Sequence, residues 1–161
     1  MTLSRVLYPG SFDPIHNGHV EIVEAAASLF GTVVVAVITN PQKNTSLFAL
    51  AERTELIEQS LAHLSTIEVA SFEGLTVDAA RDLRCDFIVK GLRSASDFEI
   101  EMQMAQTNFA VAGVRTVFVP SATEHGYLAS SFVRVIARFG GDVSALVPAA
   151  VNRRLKERFH P

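Results

Sequence analysis

The chain has 161 residues, 48% of them hydrophobic and 19% charged, with a formal net charge of -3. That length accommodates one domain with a core of its own, and the composition excludes an intrinsically disordered chain. The charge gives no field suited to a nucleic-acid backbone, no apolar run reaches the length of a membrane span, and no signal-peptide pattern is present. The single Cys85 has no partner for an internal disulfide, which fits a reducing cytoplasm; in "RCDFIV" it reads as a small buried hydrophobe.

In chain order, β-branched runs alternate with longer stretches of helical period. "RVLYP" (5–9) predicts the first strand and "HVEIVEAAASLF" (19–30) the first helix. "TVVVAVIT" (32–39) and "LAERTELIEQSLAHL" (50–64) give the next pair, "TIEVASF" (66–72) and "LTVDAARDL" (75–83) the third. "DFIVK" (86–90) and "SDFEIEMQMAQTNFAVA" (96–112) form the fourth, and "RTVFVP" (115–120) is the fifth strand. Helices are expected from about Ser130 to Phe139 and from Ala149 to Phe159. The alternation implies βαβ units and one doubly wound α/β domain over 1–161, with a five-stranded parallel sheet and helices on both faces. Gly31, Gly74, Gly91, Gly113, Gly140 and Gly141 fall where helix ends and turns need positive φ. The basic cluster in "NRRLKERF" reads as the solvated face of the last helix. Ligands of such folds bind outside the carboxyl ends of the strands, so functional residues should follow strands.

The stretch "YPGSFDPIHNGHV" (8–20) occupies such a place. Pro9-Gly10 and Asp13-Pro14 force turns, Gly18 removes a side chain where backbone can approach a ligand, and His19 enters the first turn of a helix whose free N–H groups favour an anion. Two imidazoles aimed at a phosphate would supply donors for charge developing on its oxygens. A catalytic zinc would need a third protein ligand, and neither HExxH nor a nearby Cys supplies one. GxGxxG and Walker A patterns are missing, so the residues favour phosphate chemistry without the common dinucleotide or P-loop devices.

"YPGSFDPIHNGH" resembles the HxGH signature of the nucleotidyltransferase superfamily. Three further blocks in matching order, "NPQKNTSLFALAER", "VKGLRSASDFEIEMQMAQTN" and "SSFVRVIARFGGDVSALVP", are similar to the bacterial phosphopantetheine adenylyltransferase family over nearly the whole chain. The resemblance implies a Rossmann-like fold and transfer of an adenylyl group from ATP to 4'-phosphopantetheine, giving dephospho-coenzyme A and pyrophosphate. It also implies Mg²⁺ arriving with ATP and no protein metal cage, a cytoplasmic location, no membrane or nucleic-acid partner, and assembly as a homohexamer. Catalysis by direct in-line attack asks mainly for positioning and charge neutralisation.

Residue by residue, the resemblance implies that Ser11 contacts both substrates, that Phe12 and His19 contact ATP, and that His19 stabilises the transition state. Lys43, after the second strand, and Lys90, closing the fourth, would hold the pantetheine phosphate as point charges, with Thr76 lining the pantetheine arm. "KGLR" places Gly91 and Leu92 against the nucleotide and Arg93 as a clamp on phosphate oxygens, so His19, Lys43 and Arg93 form the expected catalytic set. Glu101 matches an ATP-contacting position. The segment His125, Gly126, Tyr127, Leu128, Ala129, Ser130, Ser131 matches the ATP loop, where Ser130 and Ser131 can cap a helix or bind the β/γ-phosphates. Here Ala129 stands in place of a first serine and His125-Gly126 in an aromatic-rich lead-in, which leaves the role of His125 open, as that of His16 is. His63 and His160 carry no motif and read as structural or surface residues. Two other readings stay open on these residues: a related nucleotidyltransferase with a different acceptor, and a nucleotide sensor that has lost turnover.

Overall fold

The computed structural model describes residues 3–39, 46–122 and 124–161. Five parallel strands, β1 (Ser4–Gly10), β2 (Gly31–Thr39), β3 (Ile67–Glu73), β4 (Phe87–Leu92) and β5 (Thr116–Pro120), form one sheet in the order β3-β2-β1-β4-β5. The helices are α1 (Asn17–Phe30), α2 (Leu50–Ser60), α3 (Thr76–Asp82), α4 (Ala95–Ala112), α5 (Ser130–Arg138) and α6 (Ala149–Phe159). The doubly wound α/β reading therefore holds, with element boundaries within a few residues of those expected.

Strand residues point alternately to the two faces, and both faces are apolar because both are covered. Val6 and Tyr8 of β1, Val33, Val35 and Val37 of β2 and Val89 of β4 share one core with Val23, Ile57, Val133 and Val151 of the helices α1, α2, α5 and α6. Their neighbours Leu7, Val34, Ala36 and Ile88 face the other way and pack on Ala79 and Ala80 of α3. Helix α4 buries no residue of its own, although Phe98, Ile100, Met104, Phe109 and Val111 lie along it.

The basic cluster of α6 is exposed at Arg153, Lys156 and Arg158, as expected of a solvated face, and Arg154 and Arg158 also reach across to Glu52 and Glu55 of α2. One expectation about the glycines needs correcting. Positive φ occurs at Gly31, Gly74, Gly113 and Gly140 but not at Gly91 or Gly141. Gly91 is required by packing instead, since a Cβ there would sit 2.9 Å from Cγ1 of Ile22.

The turn between β1 and α1 is fixed by charge. Asp13 is 3% exposed and its carboxylate accepts from the Leu47 and Phe48 amides at 2.7 and 2.9 Å and from Arg134 Nη1 of α5 at 2.7 Å. Arg53 of α2, also buried, donates to the Ser11 carbonyl at 2.8 Å. The Asp13–Pro14 peptide bond is cis. Removing one partner of a buried charge cluster leaves the others desolvated and unpaired. Asp13→Ala should lower unfolding free energy by about 3 kcal/mol in urea titrations; a loss under about 0.5 kcal/mol, the range of ordinary surface changes, would contradict this anchoring.

Candidate active site

The sheet order reverses between β1 and β4, and outside the carboxyl ends of these two strands lies a cavity of about 350 Å³. Its walls come from the end of β1 and the following turn, the start of α1, the end of β4, the first half of α4, and the approach to α5. Ser11, Phe12, His19, Lys90, Gly91, Arg93, Glu101, Ala129 and Ser130 all line it. Leu92, His125, Gly126, Tyr127, Leu128 and Ser131 do not, and Lys43 lies outside the described residues. Thr76 lines a separate cavity of about 80 Å³ on the other side of Lys90 and Glu101, which border both.

The turn is packed against itself. Phe12 has a φ of 45° and is 2% exposed, its ring edge-on to His19 at 5.1 Å and tilted against Tyr8 at 5.5 Å. A Cβ on Gly10 would sit 2.9 Å from that ring, and one on Gly18 would sit 3.2 Å from the His16 imidazole. Gly10 and Gly18 therefore make room for protein rings, and both also line the cavity.

The two histidines are unequal. Their rings stack at 3.6 Å with an angle of 21° between planes. The His16 backbone N–H donates to Nδ1 of His19 at 3.2 Å, so that nitrogen must be unprotonated and the neutral ring carries its proton on Nε2. Burial first, then the neighbouring His16, Arg93 and Lys90, holds the His19 pKa well below the usual imidazole value. His19 is thus a neutral hydrogen-bond donor lining the cavity. His16 is 3% exposed, its Nδ1 has no partner, and burial, with Arg93 and His125 nearby, lowers its pKa to about 4. It supports the His19 ring face to face.

Charged side chains on the far wall are paired with one another. Lys90 Nζ lies 3.1 Å from Glu101 Oε1, so Glu101 is not on a solvated helix face. Arg93 bonds Asp97 at 2.8 and 3.2 Å and the Leu128 carbonyl at 2.5 Å. Ser130 donates to the Pro14 carbonyl at 2.8 Å, while the cap position of α5 belongs to Ala129, which has no side chain to offer. Neither serine caps α5, correcting that expectation. Among the described residues no three His, Cys, Asp or Glu side chains are grouped to hold a metal ion.

Residues 7–136 match the cytidylyltransferase-like family. The phosphopantetheine adenylyltransferase of Synechococcus elongatus is 49% identical over 98% of this chain and 95% of its own length. Those of Finegoldia magna and Prochlorococcus marinus are 47% and 46% identical over 99% and 96% of this chain, each covered over 99% of its length. The chain belongs to the phosphopantetheine adenylyltransferase family. A lipopolysaccharide core biosynthesis protein from Thermoplasma volcanium superposes with a TM-score of 0.54 at 20% identity, over 75% of this chain and 98% of that one, and shares the fold.

Set on this adenylyltransferase family scaffold, several residues whose contacts no sequence pattern gave shape the cavity. Tyr8 and Asp97 line it directly. Asp13, Arg53 and Arg134 hold the turn. Glu21 of α1 binds both the Ala122 amide and the His125 ring, each at 2.5 Å. No local sequence signal marks Glu21, since the start of α1 also carries Asn17, His19 and Glu24.

The buried neutral His16 makes stability depend on acid. Its folded pKa of about 4 lies below the ordinary 6.5, so the unfolded chain takes up the proton first and stability falls as pH drops from about 6.5 towards 4. Between pH 7.5 and 5 the chain should lose about 2 kcal/mol more than His16→Gln does in urea unfolding; equal losses would show that His16 titrates normally.

Proposed function

We propose that the protein transfers the adenylyl group of ATP to 4'-phosphopantetheine, releasing pyrophosphate and forming dephospho-coenzyme A. The near full-length identity to phosphopantetheine adenylyltransferases carries this reading. A phosphate oxygen of the acceptor attacks the α-phosphorus of ATP in line; the new P–O bond forms as the bond to pyrophosphate breaks, and no side chain becomes covalently attached.

The cavity supports the individual roles. His19 Nε2–H, fixed by the bond at Nδ1, donates to an α-phosphate oxygen as charge grows on it, beside the amides that open α1. Ser11 faces both substrates, and Phe12 acts as a buried wall that orients His19. Lys90, on the border of the two cavities, meets the acceptor phosphate while Thr76 lines the narrower space for its arm; Lys43 is proposed for the same phosphate. Gly91, Arg93, Glu101, Ala129 and Ser130, which line the cavity, meet the nucleotide, and the rest of the 125–131 segment is proposed to back that wall. Magnesium would arrive with ATP, bridging phosphate charge and holding most of its own waters.

We further propose a cytoplasmic homohexamer. The unpaired Cys85 thiol suits a reducing compartment, and no helix of the described residues is long and apolar enough to cross a membrane. A dihedral hexamer needs two different interfaces on each chain. Two separate apolar faces stand exposed: Ile100, Met104 and Val111 on α4, and Phe132, Val135, Ile136 and Phe139 at helical spacing along α5 and its end.

Incubation with ATP, Mg²⁺ and 4'-phosphopantetheine should release pyrophosphate, and a folded sample that releases none contradicts the reaction. His19→Ala should lower kcat by about 10²–10³, as for a lost oxyanion donor, with the ATP dissociation constant little changed; equal loss in both would deny His19 a transition-state role. Sedimentation velocity should give the mass of six chains, reduced by Met104→Glu, whereas a monomer at micromolar concentration would overturn the assembly.

A further inference from the structure

The segment between β5 and α5 begins and ends on the large cavity, through Ser121 at one end and Ala129 and Ser130 at the other. Its two ends are tied to the frame, Ser121 through its amide to the Leu92 carbonyl at 2.8 Å, and Leu128 by Arg93 and Ser130 by Pro14. Between these ties, among the described residues, one side chain from α1 holds it. Glu21 accepts from the Ala122 amide through Oε1 and meets His125 Nδ1 through Oε2, both at 2.5 Å. The two side chains are about three-quarters buried, at 24% and 26% exposure, so water does not fully screen the contact. The grip also seats the segment on the start of α1, where the His125 carbonyl lies 3.5 Å from the position a Gly18 Cβ would take. Glu21 stands two residues after His19, and it does not line the cavity.

We propose that Glu21 is a positioning residue for the nucleotide, acting through Ala122 and His125 to hold residues 121–122 and 124–130 in register with the helix that carries His19. The inference rests on the adenylyltransferase reading. His125, whose replacement of an aromatic lead-in left its role open, is the other half of this latch and has a structural reason to be a histidine: its Nδ1 reaches the carboxylate. The latch orders a wall of the nucleotide site without touching the reacting phosphates. Its loss therefore acts on ATP binding and leaves the chemical step intact.

Steady-state kinetics on Glu21→Ala test this. KM for ATP should rise about tenfold, the size expected for losing a charged hydrogen-bond pair, while kcat at saturation and KM for phosphopantetheine stay at wild-type values. Glu21→Gln, whose amide oxygen still accepts from Ala122, should recover most of the loss. Glu21→Ala combined with His125→Ala should be no worse than Glu21→Ala alone. An unchanged KM for ATP, a fall in kcat alone, equal damage to both substrates, or additive losses would each overturn the proposal. If Glu21→Ala does not fold, Glu21→Asp, which keeps the charge but shortens the arm that reaches Ala122 and His125, carries the same expectation. ATP titration calorimetry separates the proposal from the reaction it rests on. Wild-type protein that binds ATP without releasing pyrophosphate overturns the reaction, whereas Glu21→Ala that binds ATP as wild type does overturns the latch.

Discussion

The buried carboxylate of Asp13 is the constraint on which the active-site end of the fold depends. It gathers donors from two parts of the chain, the backbone just before α2 and the guanidinium of Arg134 on α5, while Arg53 of α2 holds the nearby Ser11 carbonyl. A carboxylate that deep is tolerable only because each oxygen is met by a donor. The cluster sets the direction in which the turn leaves β1. That direction puts Phe12 beneath His19, brings the His16 amide to the His19 ring, and leaves one imidazole nitrogen committed and the other free to donate.

The charged wall opposite works on a different principle. Lys90 with Glu101 and Arg93 with Asp97 are pairs on the cavity wall in which each cation meets a single carboxylate. A substrate carrying several negative charges can compete with that one carboxylate for Lys90. The same exchange would connect the two cavities that this pair now borders. Rigid geometry is invested in the turn and the histidines, where a donor must be aimed, and adjustable geometry in the cations, where only charge must be met.

Much of this could be read from the residues alone, and the reasons are local. The continuous apolar run of "TVVVAVIT" and the period-3.6 pattern of "HVEIVEAAASLF" mark elements because a strand covered on both faces and a helix covered on one impose them. The density of Gly, Pro and His in 8–20 marked the site because it breaks the chain between the end of β1 and the first turn of α1. What could not be read are contacts between residues far apart in the chain: Asp13 with Arg134 at a separation of 121, Ser11 with Arg53 at 42, and Glu21 with His125 at 104. Nothing in the local sequence distinguishes these from surface charges. The glycines show the same limit: Gly18 and Gly91 were rightly flagged as places needing no side chain, but their packing against His16 and Ile22 is a property of the folded neighbours.

The central claim is that the fold presents His19 as a neutral imidazole with its proton on Nε2. Nitrogen-15 NMR of the imidazole at pH 7 tests it directly, because the two ring nitrogens report protonation separately. The arrangement requires an unprotonated Nδ1 and a protonated Nε2. An imidazolium, or a proton on Nδ1, would contradict it.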